Sequence, residues 1–175
     1  MKNKKRSGQS LIEMMIAITV LTVGFLGISA LLSQSLFLNR IVANEATATY
    51  LASEGIELAK NLIDHDVYAQ VAGQGTGWGT CFSGKGTSDF EIDYTTVDCS
   101  TLAPFVSPGS PLWYSSQTHL YSYNAGGSTT RTNFARDIRV NVNGDEIVVR
   151  AIVSWTGAGG VPQSINMEDH FYKWY

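Results

Sequence analysis

The stretch Gly8-Gln9-Ser10-Leu11-Ile12-Glu13 decides how this chain is read. Upstream of it stand Lys2, Lys4, Lys5 and Arg6, and from Met14 to Leu38 downstream there is no charged side chain. A helix of about 20 apolar residues spans a hydrocarbon layer of ~30 Å, so this run is long enough to cross a bilayer. A basic head next to such a run is held on the cytoplasmic side. Glu13 is the anomaly. A carboxylate at the start of a membrane helix is costly unless it finds a partner, and such groups are functional by default.

Plainer readings compete for the same residues. A secretory signal needs a short apolar core followed by a small-residue cleavage site, and this run is too long for that. An uncleaved signal anchor accounts for the basic head and the span, but not for Gly8 or Glu13. Locally, Ser10 with Glu13 three residues on fits a capping box at a helix start. That role is compatible with a second partner elsewhere.

The hexad resembles the processing site of type IV prepilins and pseudopilins. The resemblance implies a cut by prepilin peptidase after Gly8, methylation of the new amine on Gln9, and an assembly role for Glu13. Glu13 then becomes the fifth mature residue, as in that family, whereas the usual first residue is Phe and here it is Gln9. It further implies that Glu13 pairs with the N-terminal amine of a neighbouring subunit in a filament core. Such an amine, with a pKa near 7.7 to 8.0, is largely protonated at pH 7. The expected organisation is a leader over 1–8, a membrane and filament-core half-helix over 9–40, and a globular domain over 41–175 that includes the amphipathic half of the helix. The fold class is α+β, a long N-terminal helix packed on a C-terminal antiparallel sheet.

No proline interrupts the chain from Ser10 to Asp64. That predicts a helix of ~80 Å at 1.5 Å per residue. Gly24 and Gly27 lie mid-span; each weakens a helix by about 1 kcal/mol relative to Ala in water, and in lipid glycines permit close helix packing. The resemblance implies that part of this region melts in a filament. Past Arg40 the pattern changes. Ala48, Leu51, Gly55, Leu58 and Leu62 recur at intervals of three and four, an apolar stripe for docking on a sheet. Glu54, Glu57, Lys60 and Asp64 lie off it, with Glu57 and Lys60 spaced as a surface ion pair.

Strand signals occupy the second half. Asp89 to Tyr94 alternates acidic and apolar residues. Residues 112–123 hold one or two short strands. Phe134 to Trp155 reads as a hairpin about Asn143-Gly144, a two-residue turn of type I′. That register sets Val140 against Ile147, Ile138 against Val149 and Asp137 against Arg150. A last strand follows Pro162, ending in an aromatic tail, Phe171 to Tyr175, expected to pack on the domain. The strands around Phe134, Arg136, Ile138 and Val140, with the return to Trp155, resemble the sheet of PilV-type minor pilins.

Candidate chemistry is sparse. Cys81 and Cys99 lack metal-ligand spacing; they form a disulfide if the domain is exported, or else two buried thiols. Asp89, Glu91 and Asp93 are either a calcium site or a solvated strand face. Arg136 shares the parity of the apolar residues and needs an acceptor, Glu54 or Glu57, unless it snorkels at an edge. His65, His119 and His170 are scattered. No nucleophile elbow is present, so no enzyme activity and no cofactor are expected. Removing residues 1–8 takes four of the twelve Lys and Arg side chains, leaving eight against fifteen acidic ones. Net charge therefore gives no support to nucleic-acid binding; uptake of DNA would need Arg131, Arg136, Arg139 and Arg150 to cluster. Trp78, Trp113, Tyr114, Tyr121 and Tyr123 are core or a surface-binding patch.

The expectation is a minor type IV pilin in the inner membrane with its domain outside. Its partners are prepilin peptidase, the assembly platform, membrane lipid and other pilin subunits. The alternatives are a pseudopilin of a type II secretion system and a pilus-tip adhesin or DNA-uptake module.

Overall fold

The computed structural model describes residues 7–73, 77–106 and 109–174, with side chains for all of these except 7–9 and 158. Most of the expected leader, residues 1–6, therefore lies outside the described residues. The chain divides after Val42 into two units, Met1–Val42 and Ala43–Tyr175.

One helix, α1, covers Ser7–Val71. It passes unbroken through Gly24 and Gly27. Ser10 thus sits within the helix and does not cap it. At the other end α1 outlasts Asp64 by seven residues, because no glycine or proline intervenes before Gly73. Gly73 takes a left-handed φ of 74° and its N–H donates to the Gln70 carbonyl at 3.0 Å. This is the glycine stop common at helix C-termini.

The first unit is apolar and open. Residues 10–28 are exposed throughout, including Leu11, Ile12, Ile16, Phe25 and Ile28. The helix meets the length and composition of a membrane span.

In the second unit the helix buries a face of small residues. Ala48, Leu51, Ala52, Gly55, Ala59, Leu62 and Ile63 are buried, while Leu58 is only half-buried at the margin. The stripe therefore runs through Ala52 and Ala59 instead of Leu58. Gly55 marks the closest approach: a Cβ there would lie 2.5 Å from Ile138 Cδ1 and 3.0 Å from Arg136 Cδ. A larger residue at that point would force the Ile138 and Arg136 side chains to shift.

Among the described residues the sheet has seven strands, all paired antiparallel: β1 (Asp89–Glu91), β2 (Ala103–Pro104), β3 (Pro111–Ser115), β4 (Tyr121–Ser122), β5 (Thr129–Asn143), β6 (Glu146–Thr156) and β7 (Pro162–Tyr172). The long β5 is its axis. One edge of β5 carries β6 and then β7; the other carries β1 and β3 in succession, with β2 beyond β1 and β4 beyond β3. Parity decides the faces. Phe134, Ile138 and Val140 of β5 and Ile147, Val149, Ala151, Val153 and Trp155 of β6 are all buried, and join Phe90, Ile92 and Leu112 under the helix. Each buried Val, Leu, Ile or Phe among them contributes roughly 1.5–3 kcal/mol over its exposed state.

This is the expected α+β arrangement, with three corrections. The hairpin loop is Gly144-Asp145, since Asn143 pairs with Glu146. Gly144 supplies the positive φ, 64°, at the first loop position; Asn143 stays in the strand. The register moves by two residues, so Val140 faces Val149 and Asp137 faces Ile152. A shift of two preserves every face, so the core assignment survives and the Asp137–Arg150 pair does not. Second, strand character from Asp89 ends at Glu91, because the chain turns at Asp93. Third, the C-terminal aromatic tail is only partly covered. Phe171 contacts the core, but Tyr172 is 61% and Trp174 84% exposed; Tyr175 lies outside the described residues.

Candidate functional site

Two places carry the candidate residues: the start of α1, and the seam where its second half meets the sheet.

Gly8 and Gln9 lie in the opening turns of α1. Glu13 follows, one turn in, exposed on a helix whose neighbours Leu11, Ile12, Met14 and Met15 are all exposed apolar residues. Among the described residues nothing donates a hydrogen bond or forms an ion pair with Glu13. In lipid such a group is costly unless it finds a partner.

At the seam, Arg136 points from β5 into the helix and is fully buried. Its Nη1 donates to the Leu51 carbonyl at 2.9 Å and to Glu54 Oε2 at 3.1 Å. Its Nη2 donates to the Ile92 carbonyl at 2.7 Å. One guanidinium therefore joins helix, sheet and the turn after β1. Nε alone has no partner. Of the two acceptors expected from sequence, Glu54 is used; Glu57 stays on the surface 3.9 Å from Lys60. The two main-chain acceptors carry no sequence signal. The Tyr123 hydroxyl donates to the Arg136 carbonyl at 2.7 Å, and burial pushes the Tyr123 phenol up to about 12.

The three acids near β1 do not converge. Asp89 pairs with Arg139. Glu91 accepts from the Ser110 N–H at 3.3 Å. Asp93 is buried and accepts from the Thr95 N–H and hydroxyl, at 2.8 and 2.6 Å, and from the Tyr123 N–H at 2.9 Å. It holds a turn. The short spacing Asp93-x-Thr95 is the signal that could have revealed this. Among the described residues no group of three or more His, Cys, Asp or Glu is arranged to hold a metal ion.

On the sheet face away from the helix a charged row crosses four strands. Asp89, Arg139, Arg150 and Glu168 stand opposite one another in register. Like charges in direct opposition, as at Arg139 and Arg150, are destabilising; here each arginine also pairs with the acid on its far side. Asp137, next to Arg139 at 3.5 Å, is pushed up to about 6 by burial and by the nearby Asp89. His170 lies between Glu146 (2.7 Å) and Glu168 (3.1 Å), and hydrogen bonds to those carboxylates hold it above the usual histidine range.

The arginines are thus divided between the two faces, with Arg136 enclosed under the helix and Arg139 and Arg150 engaged with carboxylates. The five aromatics are divided too. Trp78, Tyr121 and Tyr123 pack against the core, and Tyr114 hydrogen-bonds His119 Nδ1 at 2.8 Å. They do not form one exposed patch. Cys81 and Cys99 are bonded, their Cα atoms 5.0 Å apart, and the Lys85 ammonium donates to the Cys99 carbonyl at 2.8 Å. Asp64 pairs with Lys60, while Asp66 is buried against Thr80, so Asp64-His65-Asp66 is not a cluster.

Residues 3–29 match a family model described as the prokaryotic N-terminal methylation motif. No curated protein and no solved structure matches the chain significantly. The match covers the start of α1 and supports a type IV pilin- or pseudopilin-like prepilin, a structural class of protein and not a catalytic one.

Proposed function

We propose that this chain is a minor type IV pilin of the PilV type. It is inserted in the inner membrane by α1, cut after Gly8 by prepilin peptidase, and carried by an assembly platform into a filament with other pilin subunits. Its domain stands outside the membrane. The observation that carries the proposal is Glu13: a carboxylate five positions past Gly8, on an apolar exposed helix, with no partner among the described residues. The methylation-motif match over 3–29 supports the same assignment of Gly8 and Gln9. In the filament the freed amine of one subunit neutralises the Glu13 of the next.

The minor role rests on Gln9 in place of the usual Phe and on the sheet pattern about Arg136. The bonded pair Cys81–Cys99 fits an exported domain, because disulfides persist in oxidising compartments. Substituting Gly8→Ala tests the processing step. The expected result, in cells with an active prepilin peptidase, is a longer, uncut chain; normal processing of the variant would place the cut elsewhere.

A further inference from the structure

The residue that processing would expose is a glutamine, and this has a chemical consequence. A free α-amine on an N-terminal glutamine sits within reach of its own side-chain amide and can close a five-membered lactam. We propose that Gln9 is a modification site of this kind, a terminal pyroglutamate that competes with methylation for one nitrogen. The inference rests on the proposed cut after Gly8.

The step balances without a co-reactant. The neutral α-amine of Gln9 attacks its own side-chain carbonyl carbon. A carbon–nitrogen bond forms, the bond to the amide nitrogen breaks, and that nitrogen leaves as ammonia with the proton the attacking amine gives up. The product nitrogen is an amide. Its lone pair is delocalised, so it no longer accepts a methyl group, and it carries no charge near neutral pH.

The surroundings decide what that change means. Residues 10–28 are exposed throughout, so no side chain within that segment is packed over the helix start. Glu13 has no partner among the described residues. A protonated amine is not a nucleophile, so a terminus already paired with a neighbour's Glu13 is protected from closure, and a terminus waiting in the membrane is not. A closed terminus cannot neutralise a carboxylate in apolar surroundings, where an unpaired charge is strongly unfavourable. Closure thus separates subunits that can pair with a Glu13 from subunits that cannot. A first residue without a side-chain amide, such as Phe, has no such branch.

The test uses the full chain made together with its own prepilin peptidase, purified from membranes and weighed intact. Wild type is expected to show a cleaved species lighter by one ammonia. That species should resist stepwise degradation from the amine end and regain it after treatment with pyroglutamyl peptidase. The variant Gln9→Phe, cleaved at the same bond, should lack it. Cleaved wild type found only with an open or methylated amine, even after prolonged incubation in membranes, would overturn this inference and leave the processing assignment intact. Wild type found with its leader attached would overturn both.

Discussion

Arg136 of β5 donates to the main-chain carbonyl of Leu51 in α1 at 2.9 Å, so the sheet holds the helix by its backbone. The same guanidinium reaches Glu54 and the Ile92 carbonyl, and it is fully buried. Removing the arginine leaves three acceptors without their donor, one of them a carboxylate. Substitution Arg136→Ala is expected to cost ~3–5 kcal/mol, the range for breaking a buried pair by deleting one partner. Urea unfolding of the detergent-solubilised chain, followed by tryptophan fluorescence, measures it. Arg136→Met, which fills the space without a charge, should cost less when combined with Glu54→Gln.

Gly55 and Gly24 provide an internal contrast. A Cβ at Gly55 would press on Ile138 Cδ1 at 2.5 Å, whereas one at Gly24 would meet nothing within 4 Å. Gly55→Ala should therefore destabilise the domain by ~1–3 kcal/mol through overpacking. Gly24→Ala should leave the unfolding midpoint of the domain unchanged. Equal midpoints for the two variants would show that the helix does not approach the sheet at residue 55.

How much of this was legible from sequence depends on the range of each interaction. The apolar run, the hexad and the alternation of β5 and β6 are local patterns, and they carried the fold and the faces; for Arg136 they left Glu54, Glu57 or an edge position open, and the structure uses Glu54. The hairpin turn was misplaced by one residue because Asn143-Gly144 and Gly144-Asp145 both fit a two-residue loop, and parity is the same for either. The Leu51 and Ile92 carbonyls and the buried turn at Asp93 were not legible: main-chain acceptors have no residue type, and Asp93 continued an alternation that the chain abandons. The high exposure of Trp174 was not legible because hydrophobicity alone does not report how much of a side chain its surroundings cover.

Asp137 makes stability depend on pH. Its folded pKa, about 6, lies above its ordinary value because burial and Asp89 disfavour the charged form. The folded state therefore binds that proton more tightly. The contribution is present in full below the unfolded value of about 3.9 and is lost as pH rises toward 6. Asp137→Asn should raise stability at neutral pH by ~1–3 kcal/mol and flatten the slope between about pH 4 and 6. Urea midpoints across that range check both.

His170 acts in a higher window. Glu146 and Glu168 raise its pKa, and each carboxylate is in turn lowered, Glu146 chiefly by His170 and Glu168 chiefly by Arg150. The protonated ring ties β6 to β7, so that contribution is present below the ordinary histidine value and is lost as pH rises through the raised one. Amide hydrogen exchange along Pro162–Tyr172 should accelerate relative to β5 as pH passes through this window, after correction for intrinsic exchange. In His170→Gln the extra acceleration should disappear.

The measurement that bears most directly on the account is the fate of Glu13→Ala in cells that assemble filaments. The variant and wild type should be found in equal amounts in the inner membrane, because the apolar run from Met14 to Leu38 is untouched. In sheared filaments the variant should be depleted, since on the proposed pairing the neighbour's terminal amine loses its carboxylate. Recovery of Glu13→Ala in filaments at the wild-type level would contradict the account.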